Sequence, residues 1–232
     1  MFGNLIYFDN DKINQYIAVI NKSLLTEDQL QGDKSNQRIE YLSKCVSFEN
    51  LLEGRDDYID FVNGDNTEDI KEIKTSTIIK VRGEIYIPES FDMIHLIDEF
   101  KPLVLSSIEY KDEEEKQLFN TVFNGSKMKI PIFCELGEEC DYWLGIGKAI
   151  KSNLMIEYSD FEDFEERPVN ILAKLESRRY FKDSPLTVFD IYKDFFGLNR
   201  TLRKQIVKDK NSDFEEIKIE EDYLGLELLA IY

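Results

Sequence analysis

The chain has 232 residues, 42% of them hydrophobic and 33% charged, with a net charge of −18. That length is enough to bury a real core, and 12 Tyr with 16 Phe exclude wholesale disorder. The negative charge argues against direct binding to nucleic acid or to an anionic membrane, and no stretch approaches the roughly 20 apolar residues that span a bilayer.

Leu5–Phe8 reads as a short strand, with Asp9 or Asn10 capping a helix from Lys12 to about Leu25. Thr26 to Gln37 is polar and reads as a loop. Cys45–Leu52 reads as the end of a strand leading into a helix, and Gly54–Phe61 fits either a helix or a turn into a strand. Thr77–Ile87 alternates apolar and polar residues, predicting a half-buried strand with a bulge at Gly83. Pro88 should stop it. Ser90 or Asp92 can then cap a helix carrying Met93, Leu96, Ile97 and Phe100 on one face.

A further short helix is expected through Leu118, Phe119, Val122 and Phe123, ending at Asn124-Gly125. Three closely spaced strand patterns follow at Lys129–Leu136, Tyr142–Ile150 and Leu154–Tyr158, which favours an antiparallel meander. Asp160–Glu166 reads as a helix or loop lying on the sheet, and Val169–Tyr180 as a strand. From Leu186 to Val207 the spacing turns helical, broken at Gly197. The apolar run Leu224–Tyr232 predicts a strand inserted in the sheet. Together these elements predict a single α+β domain over residues 1–232, a mostly antiparallel sheet with helices packed on it.

Chemistry is sparse. Cys45, Cys134 and Cys140 lack CxxC spacing, so neither a disulfide framework nor a zinc site is expected, and Cys134 reads as a buried small hydrophobe. The opening MFGNLIYFDNDK has no basic n-region, predicting no signal peptide and a cytoplasmic setting. The richness in Lys, Ile, Asn and Glu fits an AT-rich bacterial or phage coding sequence. His95 is the one histidine, which removes zinc hydrolases and paired-histidine chemistry. It reads as a surface or boundary residue of an amphipathic helix. Gly145-Ile146-Gly147-Lys148 lacks the flanking GxxxxGK[ST] pattern of a phosphate-binding loop.

Asp56, Asp57 and Asp60 could offer oxygen ligands to Mg²⁺, although acidic runs are most often solvated faces. Between Lys174 and Lys208 nine basic residues stand against four acids, in a chain whose remainder is strongly acidic. Within that segment Arg200 and Arg203 lie three apart, so a helix would place them on one face with Lys204 nearby. Arg178 and Arg179 would point to opposite faces of a strand, so at most one could join an anion site. Arg178, Arg200, Arg203 and Lys204 are therefore the candidate anion-binding residues. Pairing with the chain's own acids is the simpler reading of them.

The segments LIYFDNDKINQY, LLEGRDDYIDF, KVRGEIYIPESFDMIHLIDEFKPL and VFDIYKDFFGLNRTLRK resemble a family of uncharacterised bacterial and mobile-element proteins grouped as domain of unknown function 6414. The resemblance implies a single-domain cytoplasmic protein and transfers no catalytic residue. The expectation is a non-enzymatic binding protein without a cofactor, engaging a protein or a small anionic ligand, in a setting of bacterial antiviral defence or phage counter-defence. One alternative is a Mg²⁺-dependent enzyme acting on a nucleotide or phosphate ester. The other is an acidic mimic of nucleic acid.

Overall fold

A computed structural model describes residues 5–22, 34–63, 70, 72–92, 94–96, 128–137, 143–164, 167–195 and 216–232. After strand β1 (Tyr7–Phe8), helix α1 (Asn10–Asn21) starts where Asp9 Oδ1 accepts from the Lys12 amide at 3.1 Å. Helix α2 (Lys34–Leu52) follows. It corrects the expected loop to Gln37 and strand end at Cys45: Cys45, Phe48 and Leu52 are buried at helical spacing, while Val46 is exposed. The next stretch is a turn into a short strand, β2 (Tyr58–Asp60).

Strand β3 (Ile78–Tyr86) is the first long one. It is followed by β4 (Lys129–Leu136), β5 (Trp143–Ile150), β6 (Val169–Arg179) and, after a hairpin of β7 (Leu186–Asp190) with β8 (Glu216–Ile219), by β9 (Tyr223–Ile231). Strand β6 pairs with both β3 and β9, so the strands close in the cyclic order β3-β4-β5-β9-β6. Within that ring β5 and β9 run parallel and the other four pairs antiparallel. Strand β2 adds a further parallel ladder to β3, and β1 pairs antiparallel with β9.

The expectation of a mostly antiparallel sheet is thereby corrected. The sheet is mixed and closed as a barrel, because β9 enters between β5 and β6 instead of extending a meander. This connectivity is that of a five-stranded Greek-key barrel of the OB type, which by itself assigns no function.

Closure explains Gly83. Its register is continuous with both neighbours, Val169 on β6 and Leu136 on β4, so it is not a bulge. It is where β3 passes from pairing with β6 to pairing with β4, and a Cβ there would overlap the Glu135 carbonyl oxygen. Only glycine permits that backbone approach.

Two other expectations change. Leu154–Tyr158 contributes one isolated bridge, Tyr7 to Leu154, and then a 3-10 helix at Tyr158–Phe164 that buries Phe161. Leu186–Asp190 is a strand: Val188, Ile191 and Phe195 mimic helical spacing, but the chain pairs with β8 before a π-helical turn at Ile191–Phe195. After Pro88 the chain turns in a 3-10 helix at Glu89–Phe91 and is α-helical at 92 and 94–96, where the helix was expected. The remainder of the helix expected there from residue 97, the helix at 118–123 and the second helix from Asn199 lie outside the described residues.

Helices α1 and α2 cover the outside of the barrel, where Leu5, Phe8, Ile13, Phe48 and Leu52 pack with Ile78, Leu172 and Leu229. Under this layer Lys80 of β3 is buried, its ammonium 2.7 Å from Glu49 Oε2, and the Tyr232 hydroxyl donates to the same carboxylate. A buried charge is tolerated when paired and hydrogen-bonded in this way. Among the described residues, no helix is long and apolar enough to cross a membrane.

Two tests follow from this packing. Gly83→Ala should lower stability by about 1–3 kcal/mol in urea denaturation, the usual cost of forcing extra atoms into a filled site; an unchanged midpoint would contradict the close approach. Burial also pushes the Cys134 thiol up to about 12, and holds Cys45, Tyr7, Tyr58 and Tyr232 above their ordinary values. These groups keep their protons longer in the folded state than in the unfolded chain. Their contribution is therefore fully present below the unfolded values, about 8.5 for Cys and 10 for Tyr, and is lost as pH rises beyond them. Urea midpoints should fall between pH 8 and pH 10.5, and equal midpoints would contradict the burial.

Candidate functional site

The residues proposed from sequence fall in different places. Arg178 serves its own backbone: its guanidinium donates to the carbonyls of Ile70, at 3.3 Å, and Ile73. Arg200, Arg203 and Lys204 lie outside the described residues. Asp57 forms a two-pronged ion pair with Arg55, at 2.8 and 2.9 Å. Asp60 accepts from the amides of Val62 and Asn63, closing the turn after β2, and lies 3.8 Å from Lys80. Among the described residues, no three His, Cys, Asp or Glu gather as a metal ion would require, so Asp56, Asp57 and Asp60 form no such group.

A different set of cations does converge. In β5 the residues Ile146, Lys148 and Ile150 share the strand's outer face, and β9 offers Tyr223, Gly225 and Glu227 beside them. The parallel register sets Ile146 against Gly225. Strand β6 continues the floor, with Ser177 opposite Gly225 and Arg179 opposite Tyr223. The chain between β6 and β9 forms a wall, with Val188 of β7 and, from the π-helical turn, Lys193 and Asp194. Lys129, at the start of β4, closes one end. These surfaces enclose a cleft of about 540 Å³.

Five cations line this cleft, namely Lys12, Lys129, Lys148, Arg179 and Lys193. Lys12 is held at 3.5 Å from both Asp9 and Glu227. Lys148 lies 2.6 Å from Asp194 Oδ2, a carboxylate that is 2% exposed and also accepts from the Asp190 amide at 3.1 Å. Among the described residues, no carboxylate lies within ion-pair distance of Lys129, Arg179 or Lys193. Burial lowers the pKa of Lys148, and the neighbouring charges of Lys193 and Lys129 lower it further, against the opposing pull of Asp194. Three ammonium groups thus share one electrostatic neighbourhood.

A larger cleft, about 810 Å³, lies on the other side of β4 between the end of β3 and the 3-10 helix. Glu84, Glu89, Asp92, Glu135 and Glu162 line it. His95 lies within it, 8% exposed and stacked on Tyr158 with ring centroids 3.7 Å apart. Of the expected surface or boundary positions for the histidine, this excludes the surface one. Tyr158 in turn donates to Asp92 at 2.9 Å. Its size does not make it the better candidate: carboxylate-lined surface is what a chain of net charge −18 shows almost anywhere. The basic cleft gathers five cations against three carboxylates, Glu176, Asp194 and Glu227, and a local excess of positive charge is what such a chain would avoid without a reason.

No family model, curated protein or solved structure matches the chain.

The Lys148–Asp194 pair fixes the wall to the barrel, and its removal has a sign. Asp194→Asn keeps an acceptor for the Asp190 amide but leaves Lys148 among like charges. It should cost about 1–3 kcal/mol in chemical denaturation, the range for an unsatisfied partly buried charged group. Wild-type stability in this variant would mean that the pair does not anchor the wall.

Proposed function

We propose that this chain is a cytoplasmic, non-enzymatic binding protein whose basic cleft engages a small anionic ligand. The observation that supports this is the convergence of Lys129, Lys148, Arg179 and Lys193 on one cleft in a strongly acidic chain. Like charges held close together raise the free energy of the empty site, and an anion placed among them relieves that repulsion. Ammonium and guanidinium groups at the rim also give charge-assisted hydrogen bonds, about twice as strong as neutral ones. The Mg²⁺-enzyme alternative draws no support from Asp56, Asp57 and Asp60: Asp57 pairs with Arg55, Asp60 closes a turn, and the three do not gather as metal ligands.

Inorganic tripolyphosphate is a suitable probe. At a hundredfold excess over Kd a ligand stabilises the fold by about 2.7 kcal/mol, a shift of several degrees in melting temperature. Wild type should show that shift, and Lys129→Gln/Lys193→Gln should lose it while melting near wild type without ligand, because both side chains are exposed. Binding should also weaken as pH rises toward the ordinary lysine range. Lys148 sits among Lys129, Lys193, Asp194, Glu227 and Lys12, and it binds its proton less tightly in the free protein than in the anion complex. Absence of any shift, or a shift that survives the double substitution, would refute the proposal.

A further inference from the structure

The cleft is longer than an inorganic anion needs, and its two ends differ in chemistry. From the parallel register, Lys148 lies beside Glu227, while Tyr223 lies four residues back along β9. That separation is about 13 Å at 3.3 Å per residue. One end holds Lys129, Lys148 and Lys193, with Asp194 paired to Lys148 and Glu227 to Lys12. The other holds the half-buried ring of Tyr223, with Arg179 directly across the β6·β9 ladder. Between them the floor is low: Gly225 has no side chain, the Ser177 hydroxyl lies 2.5 Å from where a Cβ would sit, and Ile146 of β5 lies alongside. The Ser177 and Thr187 hydroxyls, both lining the cleft, are the neutral polar groups along this middle stretch.

Cations at one end, hydroxyls in the middle and an aromatic face with a guanidinium at the other match a ligand built in the same order. We infer that the cleft takes a nucleotide, its phosphates among Lys129, Lys148 and Lys193, its sugar over Gly225 beside Ser177, and its base against Tyr223 and Arg179. Aromatic and guanidinium faces accept any base by stacking, so this end selects for a flat ring more than for one base. The inference rests on the anion-binding reading of the same cleft and adds the class of ligand. A free nucleotide is favoured over a nucleic-acid strand because the surface outside the cleft is acidic and would repel a continuing backbone.

Isothermal titration with inorganic pyrophosphate, adenosine, adenosine diphosphate, guanosine diphosphate and a ten-residue oligothymidylate tests this. Both diphosphates should bind at least tenfold tighter than pyrophosphate, and adenosine should bind far more weakly than either. Tyr223→Leu should remove most of that tenfold advantage, Tyr223→Phe should keep it, and the exposed Arg179→Gln should reduce it even if Tyr223→Leu fails to fold. Equal affinities for pyrophosphate and the nucleoside diphosphates would overturn the nucleotide inference and leave the anion site standing. Tighter binding of the oligonucleotide than of the diphosphates would also overturn it, in favour of a strand. Binding of none of the five would overturn both the inference and the reading beneath it.

Discussion

The barrel depends on a single steric constraint, the contact of the β3 and β4 backbones at Gly83. Strand β3 must give one edge to β6 over Ile78–Gly83 and the other to β4 over Gly83–Tyr86. That change of partner within one strand is what closes the sheet, and closure leaves each of the five barrel strands hydrogen-bonded on both sides. Both spare edges are filled in turn, that of β3 by β2 and that of β9 by β1. Once the ring is closed, the outer face of β3, β6 and β9 takes the helical layer. The outer face of β5 and β9 becomes the floor of the basic cleft.

Much of the strand content could be read directly from residue pattern. Lys129–Leu136 and the run to Ile231 are apolar enough, and bounded clearly enough, to predict strands that the structure contains. Helix α2 was not legible: its polar first turns hide a stripe in which, among the described residues, Cys45, Phe48 and Leu52 are buried, and Val46 between them suggests a strand. Strand β7 was misleading for the opposite reason, since its apolar spacing satisfies a helical template while its partner β8 lies far along the chain. Closure itself could not be read, because it rests on pairings such as Val81 with Ile171 that no local pattern encodes.

The site was less legible than the fold. The excess of basic residues after Lys174 singled out Arg178 of the Arg178–Arg179 pair, and the two side chains part ways in the structure. Arg178 turns to the carbonyls of Ile70 and Ile73, and Arg179 lines the cleft. Lys129, Lys148 and Lys193 come from three separate elements, and only the barrel and its wall bring them together. A local signal did exist in β5, where Lys148 lies between Ile146 and Ile150 on one face of an otherwise apolar strand. A lysine in that position requires either an acid, which Asp194 supplies, or an anion. Asp194 answers Lys148 alone and leaves the charges of Lys129 and Lys193 to something outside the described residues of the chain.

The central claim is that the basic cleft, and not the larger acidic one, is where this protein binds its ligand. Chemical-shift mapping on the isotopically labelled protein during titration with tripolyphosphate tests it most directly. The account predicts that shifts cluster at Lys148, Ser177, Lys193 and Gly225, while Glu84, Asp92 and His95 stay in place. Shifts centred on His95 and Tyr158, or spread evenly over the surface lysines, would contradict it.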